Sequence, residues 1–339
     1  EQENIHPAQL LLARQKRAKM ISRGKIIIGS RSSQLALWQS EWVKNELINK
    51  FPNLEITIDI IKTAGDENLE SPLLKIGERG LFTKELEQAL IEERIDLAVH
   101  RLKHLPTVLP EGLIIGAITK REDVRDVFIS HPSLKYKQLE DVPTGGTIAT
   151  GSLRRRCQLL NWRPDLKIAD LSGNLNTRLA KLDSSTDWDG IILAGAGVLR
   201  FGYSERIAEI LPVRRILPAP GQGSLAIEIR ASDKALLRYL KPLENTAATI
   251  AASGERSFLK FLEGDCQLPV GTYGRTEKNE FHMEGMIGSL DGKKILRGNI
   301  HGNPEMADEL GRDLARTLYD SGGRDILTDI RKQNSAELI

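Results

Sequence analysis

Residues 147–156 read Thr147-Ile148-Ala149-Thr150-Gly151-Ser152-Leu153-Arg154-Arg155-Arg156. A short apolar run stops at a Gly-Ser pair, and helix-forming residues begin at once. This is the pattern of a buried strand and a tight polar loop that opens a helix. The same order recurs on both sides. Ile26-Ile27-Ile28 runs into Gly29-Ser30-Arg31, and a helix is expected over about 33–49, with Leu35, Trp38, Trp42 and Leu47 near one face. Glu55 to Ile61 alternates as a strand does. A helix carrying Phe82, Leu86, Ala89 and Leu90 precedes Leu97-Ala98-Val99, and Leu113 to Ile118 is a further strand. After Thr147–Ala149 come Ile168–Leu171 with Gly173-Asn174, and Ile191–Leu193 with Gly195 and Gly197. Repeated strand–loop–helix units imply a mainly parallel α/β sheet, whose ligands bind beyond the strands' C-terminal ends.

Beyond the Pro218-to-Gly223 loop, Leu225 to Ile229 returns as a strand. From Thr246 the pattern changes to a long helix, a glycine-containing loop with Cys266, a hairpin turning at Asp291-Gly292, and two closing helical stretches. The expected fold is two α/β domains plus a smaller α+β C-terminal domain. The expected boundaries are an extension over 1–24, a first domain over 25–121 and 222–241, a second over 122–221, and a third over 242–339.

The chain has 339 residues, 40% hydrophobic and 28% charged, which excludes disordered and fibrous classes. Its 48 basic and 46 acidic residues leave a net charge of +2, and aromatics are 5%, so a general nucleic-acid binder is not expected. No apolar run is long enough to span a membrane. Two cysteines, Cys157 and Cys266, exclude a disulfide framework and point to a reducing compartment. A cytoplasmic location is expected. The cluster Arg14, Lys16, Arg17, Lys19, Arg23 and Lys25 reads as a solvated tail, with an organellar targeting remnant as the other reading.

Basic residues gather at one topological place. Arg31 and Lys103 follow strands, and Arg154, Arg155, Arg178 and Arg200 lie at post-strand loops and helix starts. A lone surface arginine is usually only solvated. Six at strand ends point to a polyanion site between two α/β domains, because guanidinium forks suit carboxylates and phosphates. Neither G-x-G-x-x-G after a strand nor a phosphate-binding G-x-x-x-x-G-K-[ST] is present, which disfavours nucleotides. His100 and His104 are four apart, but they fall on a strand and a turn rather than on one helix face, so no metal site is expected. Cys266 sits in an exposed Gly/Pro loop, where it is either an inert free thiol or an attachment point.

From Lys25 to Ile330 the chain resembles the porphobilinogen deaminase (hydroxymethylbilane synthase) family. The resemblance is carried by Gly29-Ser30-Arg31-x-Ser33-x-Leu35-Ala36, Gly80-Leu81-Phe82-x-Lys84-Glu85, Ala98-Val99-His100-x-x-Lys103-x-x-Pro106, Ser152-Leu153-Arg154-Arg155, Gly173-Asn174-x-x-Thr177-Arg178, Leu217-Pro218-Ala219-x-Gly221-Gln222-Gly223 and Leu262-Glu263-Gly264-x-Cys266. It implies two periplasmic-binding-protein-like domains, a third domain, and a dipyrromethane cofactor on Cys266. It also implies stepwise condensation of four porphobilinogen molecules with release of ammonia, in tetrapyrrole (heme) biosynthesis, by a monomer. By the same resemblance, Arg31, Ser33, Lys75, Phe82, Ser152, Arg154, Arg155, Ser172, Gly173, Arg178, Arg200 and Gln222 contact substrate or cofactor. Lys103 and position 104 are catalytic, and 68–80 forms a lid.

Three residues depart from the family pattern. The family's loop reads His-Ser-x-Lys-Asp-x-Pro; here it reads His100-Arg101-Leu102-Lys103-His104-Leu105-Pro106. Neutral imidazole carries one acceptor and no negative charge, and imidazolium carries no acceptor. The resemblance implies that the family's aspartate stabilises positive charge on the reacting pyrrole, and losing such electrostatic stabilisation costs about 3–4 kcal/mol, or roughly 10²–10³ in rate. Ser172 stands where the family has arginine, which removes one carboxylate clamp. Two readings follow: a deaminase of impaired activity, with its cofactor bound or absent, or a non-catalytic binder of porphobilinogen, oligopyrroles or another polycarboxylate. A plain solute receptor explains neither the Cys266 loop nor the lack of a secretory signal.

Overall fold

The computed structural model describes residues 24–63, 83–262 and 268–336. Three sheets organise it. The first takes β1 (Lys25–Ser30), β2 (Glu55–Ile60), β3 (Leu97–Arg101), β4 (Leu113–Ile118) and β10 (Leu225–Arg230), in the order β2-β1-β3-β10-β4. The second takes β5 (Asp126–Ser130), β6 (Thr147–Ala149), β7 (Lys167–Ala169), β8 (Gly190–Ala194) and β9 (Glu209–Ile210), in the order β7-β6-β8-β5-β9. The third is an antiparallel ladder of β11 (Val270–Glu277), β12 (Glu280–Gly288) and β13 (Ile295–Gly302).

The first two sheets follow one plan. β1 runs parallel to β2 and β3, and β6 runs parallel to β7 and β8. The sheets are thus mainly parallel, as expected, and each holds one antiparallel strand. β10 opposes both β3 and β4, and β5 opposes both β8 and β9. The connections explain this. The chain leaves β4 at its C-terminal end, crosses over residues 119–125, and enters the second sheet from that same side, so β5 must run the other way. After β9 it crosses back over 211–224 and enters as β10 under the same constraint. The two crossings lie side by side: Thr119 N–H donates to the Leu225 carbonyl (3.0 Å) and Glu122 N–H to the Gly223 carbonyl (3.2 Å).

The helices are α1 (Gln34–Lys50), α2 (Lys84–Ile91), α3 (Leu153–Trp162), α4 (Leu175–Ser184), α5 (Gly195–Arg200), α6 (Lys234–Leu240), α7 (Thr246–Phe261), α8 (Ala307–Leu318) and α9 (Arg324–Ala336). Val43 and Leu47 of α1 bury against Ile26, Ile28, Val99 and Ile227. Trp38 departs from the helical face expected for it: the buried face holds Gln39, Ser40, Val43 and Leu47, and Trp38 points outward. The second sheet packs Val127, Ile129, Ile191 and Leu193 against Leu179 and Leu182 of α4. In the third unit, Phe258, Phe281, Leu314 and Leu327 form the core. There α7 and α8 cross so closely that a Cβ on Gly311 would collide with the Gly254 carbonyl, which requires glycine at the crossing.

Candidate active-site cleft

The strand ends of the first two sheets face each other, and both halves of the cleft are built from post-strand residues. On the first sheet, Arg31 follows β1 directly, and Ser33 caps α1 by accepting the Ala36 N–H (3.4 Å). β3 ends in His100 and Arg101, followed by a 3-10 turn over Leu102–His104. Leu102 is buried and anchors this turn, while Lys103 and His104 stay half-buried at the cleft. Arg31, Ser33, His100, Arg101 and His104 line one cavity. Arg101, Lys103, Arg200, Gln222 and Ser224 line a second, to which Ala194 and Gly197 of the second sheet also contribute.

On the second sheet, Arg154 and Arg155 enter at the first turn of α3. Both are buried and both pair with Asp126 at the head of β5, each at 2.8 Å. Arg154 also donates to the Leu217 carbonyl (2.7 Å) and Arg155 to the Ile192 carbonyl (3.2 Å). These two therefore stand behind the cleft surface rather than on it. Gln222 is likewise buried: its amide donates to the Val124 carbonyl (2.7 Å) and to Asp126 (2.8 Å), and its Oε1 accepts from Lys103 Nζ (3.1 Å). A continuous polar chain thus runs from Lys103 through Gln222 and Asp126 to the paired guanidiniums.

Farther along, Arg178 Nε donates to the Gly173 carbonyl (2.8 Å), and Gly173 adopts a φ of +108°. Ser172 accepts from Lys181 Nζ through both its hydroxyl (3.2 Å) and its carbonyl (3.3 Å). Ser152 stands at the N-cap of α3 without capping through its side chain. Arg200 donates to the Gly223 carbonyl (3.0 Å) and lies 5.9 Å from the Trp38 ring centroid. With the Asn176–Gln34 hydrogen bond (2.5 Å), this contact joins the two halves of the cleft. Lys75, Phe82, Cys266, the expected lid over 68–80 and the N-terminal extension lie outside the described residues.

The electrostatics follow from this crowding. Burial, together with Arg155 and Arg101, pushes the Lys103 ammonium well below its usual range, against the pull of Asp126. Burial and the cations Arg101, Lys103, Arg31 and Arg178 push His104 well below 6.5, so its ring is neutral at neutral pH. Burial, then Arg155, lowers Arg178 to about 10. Burial alone would raise Asp126, but Arg154 and Arg155 outweigh it and hold the carboxyl far below the ordinary range. Among the described residues neither cavity is lined by a carboxylate. Asp126 is already shared by two arginines, and Glu228 is buried against His100 Nε2 (2.9 Å).

Positive charge thus exceeds negative at the cleft, where Arg31 and Arg101 line one cavity and Arg101, Lys103 and Arg200 the other. That donor set fits a group bearing several carboxylates. Among the described residues no His/Cys/Asp/Glu group is arranged for a metal, and no helix is long and apolar enough to cross a membrane. Residue order alone missed Asp126, Glu228, Arg256 and Trp38. For Asp126 a signal existed in an acid heading the apolar run Val127-Phe128-Ile129.

Comparison with known proteins agrees with this chemistry. Residues 26–238 match the model described as "Porphobilinogen deaminase, dipyromethane cofactor binding domain", and residues 249–320 match "Porphobilinogen deaminase, C-terminal domain". The porphobilinogen deaminase of Carboxydothermus hydrogenoformans is 48% identical over 308 residues, covering 91% of this chain and 98% of the relative. That of Chlorobaculum tepidum is 48% identical over 311 residues with the same coverage, and that of Desulforamulus reducens is 46% identical over 307 residues. With its dipyrromethane-binding domain and its C-terminal domain both matched, the chain belongs to the porphobilinogen deaminase family.

Proposed function

We propose that this chain binds porphobilinogen and pyrrole oligomers made from it, and that it condenses them at least 10²-fold more slowly than a chain with aspartate at 104 would. One observation supports this reading above others: a cleft crowded with cations and lined by no carboxylate among the described residues. Porphobilinogen carries an acetate and a propionate. Arg31, Arg178 and Arg200 would take these carboxylates at the surface, with Ser33, Ser152, Ser172 and Gly173 as polar neighbours. Arg154, Arg155 and Gln222 would act from behind, holding the field positive and Lys103 in place.

A dipyrromethane on Cys266, when bound, supplies the pyrrole carbon on which condensation starts. The residues at hand do the rest unevenly. In each condensation the aminomethyl carbon loses its bond to nitrogen as ammonia leaves, positive charge develops on that pyrrole, and the carbon then bonds to the unsubstituted pyrrole carbon at the end of the growing chain, which gives up its proton. His104 is neutral and surrounded by Arg101, Lys103, Arg31 and Arg178, so nothing described at the cleft offsets that charge. Lys103 lines the cleft, held by Gln222, and with its lowered pKa it would exchange a proton with the departing amine.

The test combines intact mass with calorimetric titration of porphobilinogen and a turnover assay. Expected are saturable binding that weakens with added salt, and slow turnover. Absence of binding, or turnover that aspartate at 104 does not improve, would overturn the proposal.

A further inference from the structure

The turn over Leu102–His104 carries the two cleft groups whose charge states matter most. Leu105 N–H closes it on the Leu102 carbonyl (3.1 Å), and Leu102 N–H reaches the Ser224 carbonyl (3.1 Å). On its other side the carbonyls of Leu105 and Pro106 face α7, a helix of the third unit. Arg256 of α7 donates to both: Nη1 to Leu105 at 3.1 Å and Nη2 to Pro106 at 2.6 Å. Beneath the turn, His100 is pinned to Glu228 of β10, and the other oxygen of that buried carboxylate has no hydrogen-bond partner. Burial draws Arg256 down to about 10 against the pull of Glu228, so it stays cationic at neutral pH.

We infer that Arg256 is a positioning residue: its guanidinium fork grips both carbonyls after the turn and so sets where Lys103 and His104 stand in the cleft. Two parallel N–H donors fix a direction as well as a distance, which a single ammonium does not. Through Arg256 the third unit acts on the cleft from behind, with none of its described residues lining either cavity. The neighbouring Glu255 has a different task, tying the two crossings to the third unit through Arg121 (2.7 Å), Gly221 N–H (2.6 Å) and Gly274 N–H (2.7 Å).

The experiment compares the full chain with Arg256→Gln and Arg256→Lys by two readouts. The first is porphobilinogen affinity by calorimetry. The second is the titration of the His104 imidazole by NMR, assigned with His104→Gln. Only the first rests on the proposed function. Arg256→Gln should weaken affinity at least 5-fold and move the His104 midpoint upward toward 6.5, as the ring leaves its place among the cations. Arg256→Lys should show a smaller change in both, since one ammonium spans one carbonyl. If His104 titrates identically in all three proteins, Arg256 is a structural residue only and the inference falls, even where thermal stability drops. If Arg256→Gln does not fold, an unchanged His104 titration in Arg256→Lys overturns it equally. Failure of the parent chain to bind porphobilinogen would remove the proposed function while leaving the imidazole readout to decide this inference.

Discussion

Restoring a carboxylate at 104 is the sharpest test of the cleft chemistry. In His104→Asp the new carboxylate would face Arg31, Arg101, Lys103 and Arg178, the cations that now depress the imidazole. Those neighbours would keep it ionised at neutral pH. A unit charge about 4 Å from developing positive charge is worth about 4 kcal/mol at an effective dielectric near 20. Competition from the four cations reduces this, and ~3 kcal/mol corresponds to roughly 10²-fold in rate. The neutral imidazole contributes almost nothing of this term. Porphobilinogen consumption should therefore rise about 10²-fold in His104→Asp, normalised to the fraction of chains whose intact mass includes dipyrromethane. His104→Asn supplies an acceptor without charge and should gain less than about 10-fold. No gain in a cofactor-loaded His104→Asp protein would refute the electrostatic argument and turn attention to Arg101 and Ser172. An equal gain in both variants would show that hydrogen bonding, not charge, is what the cleft lacks.

Asp126→Asn should lower stability by about 3–5 kcal/mol in denaturant melts, because Arg154 and Arg155 would remain buried without their counter-ion. His104 should make stability pH-dependent on the acid side. Its folded-state pKa lies below the ordinary 6.5, so the unfolded chain binds more protons between the two values. Stability should then fall as pH drops from about 6.5 toward the depressed value, and His104→Gln should remove that segment of the melt-versus-pH curve. Cys157 is fully buried and its thiol is pushed up to about 12 by burial, so it should resist iodoacetamide in the native protein and react only on unfolding. Any native labelling should belong to Cys266 and vanish in Cys266→Ala; labelling at Cys157 on a peptide map would contradict the packing described here.

Much of the architecture was legible from residue order. Apolar period and loop chemistry are local, so Ile26–Ile28, Leu97–Val99, Thr147–Ala149 and Ile191–Leu193 declared themselves as strands, and the stretches after Ser33 and Asn174 as helices. The cationic character of the strand ends was equally plain, as were the motifs that place the chain in its family. Partnership was not legible. Arg155 meets Asp126 across 29 residues of sequence, and Arg256 meets Leu105 across 151. No periodicity records such separations, because an ion pair or a gripped carbonyl depends on which elements the crossings bring together. The same holds for Trp38, which sequence spacing groups with Leu35, Trp42 and Leu47 but which points outward in the folded chain, 5.9 Å from the Arg200 guanidinium. Residue types and their local spacing set the elements and the sign of the charge. The folded chain alone decided which cations face a ligand, which are spent on Asp126, and that His104 sits neutral among positive neighbours. Burial and dielectric are properties of the assembled packing rather than of the chain's order.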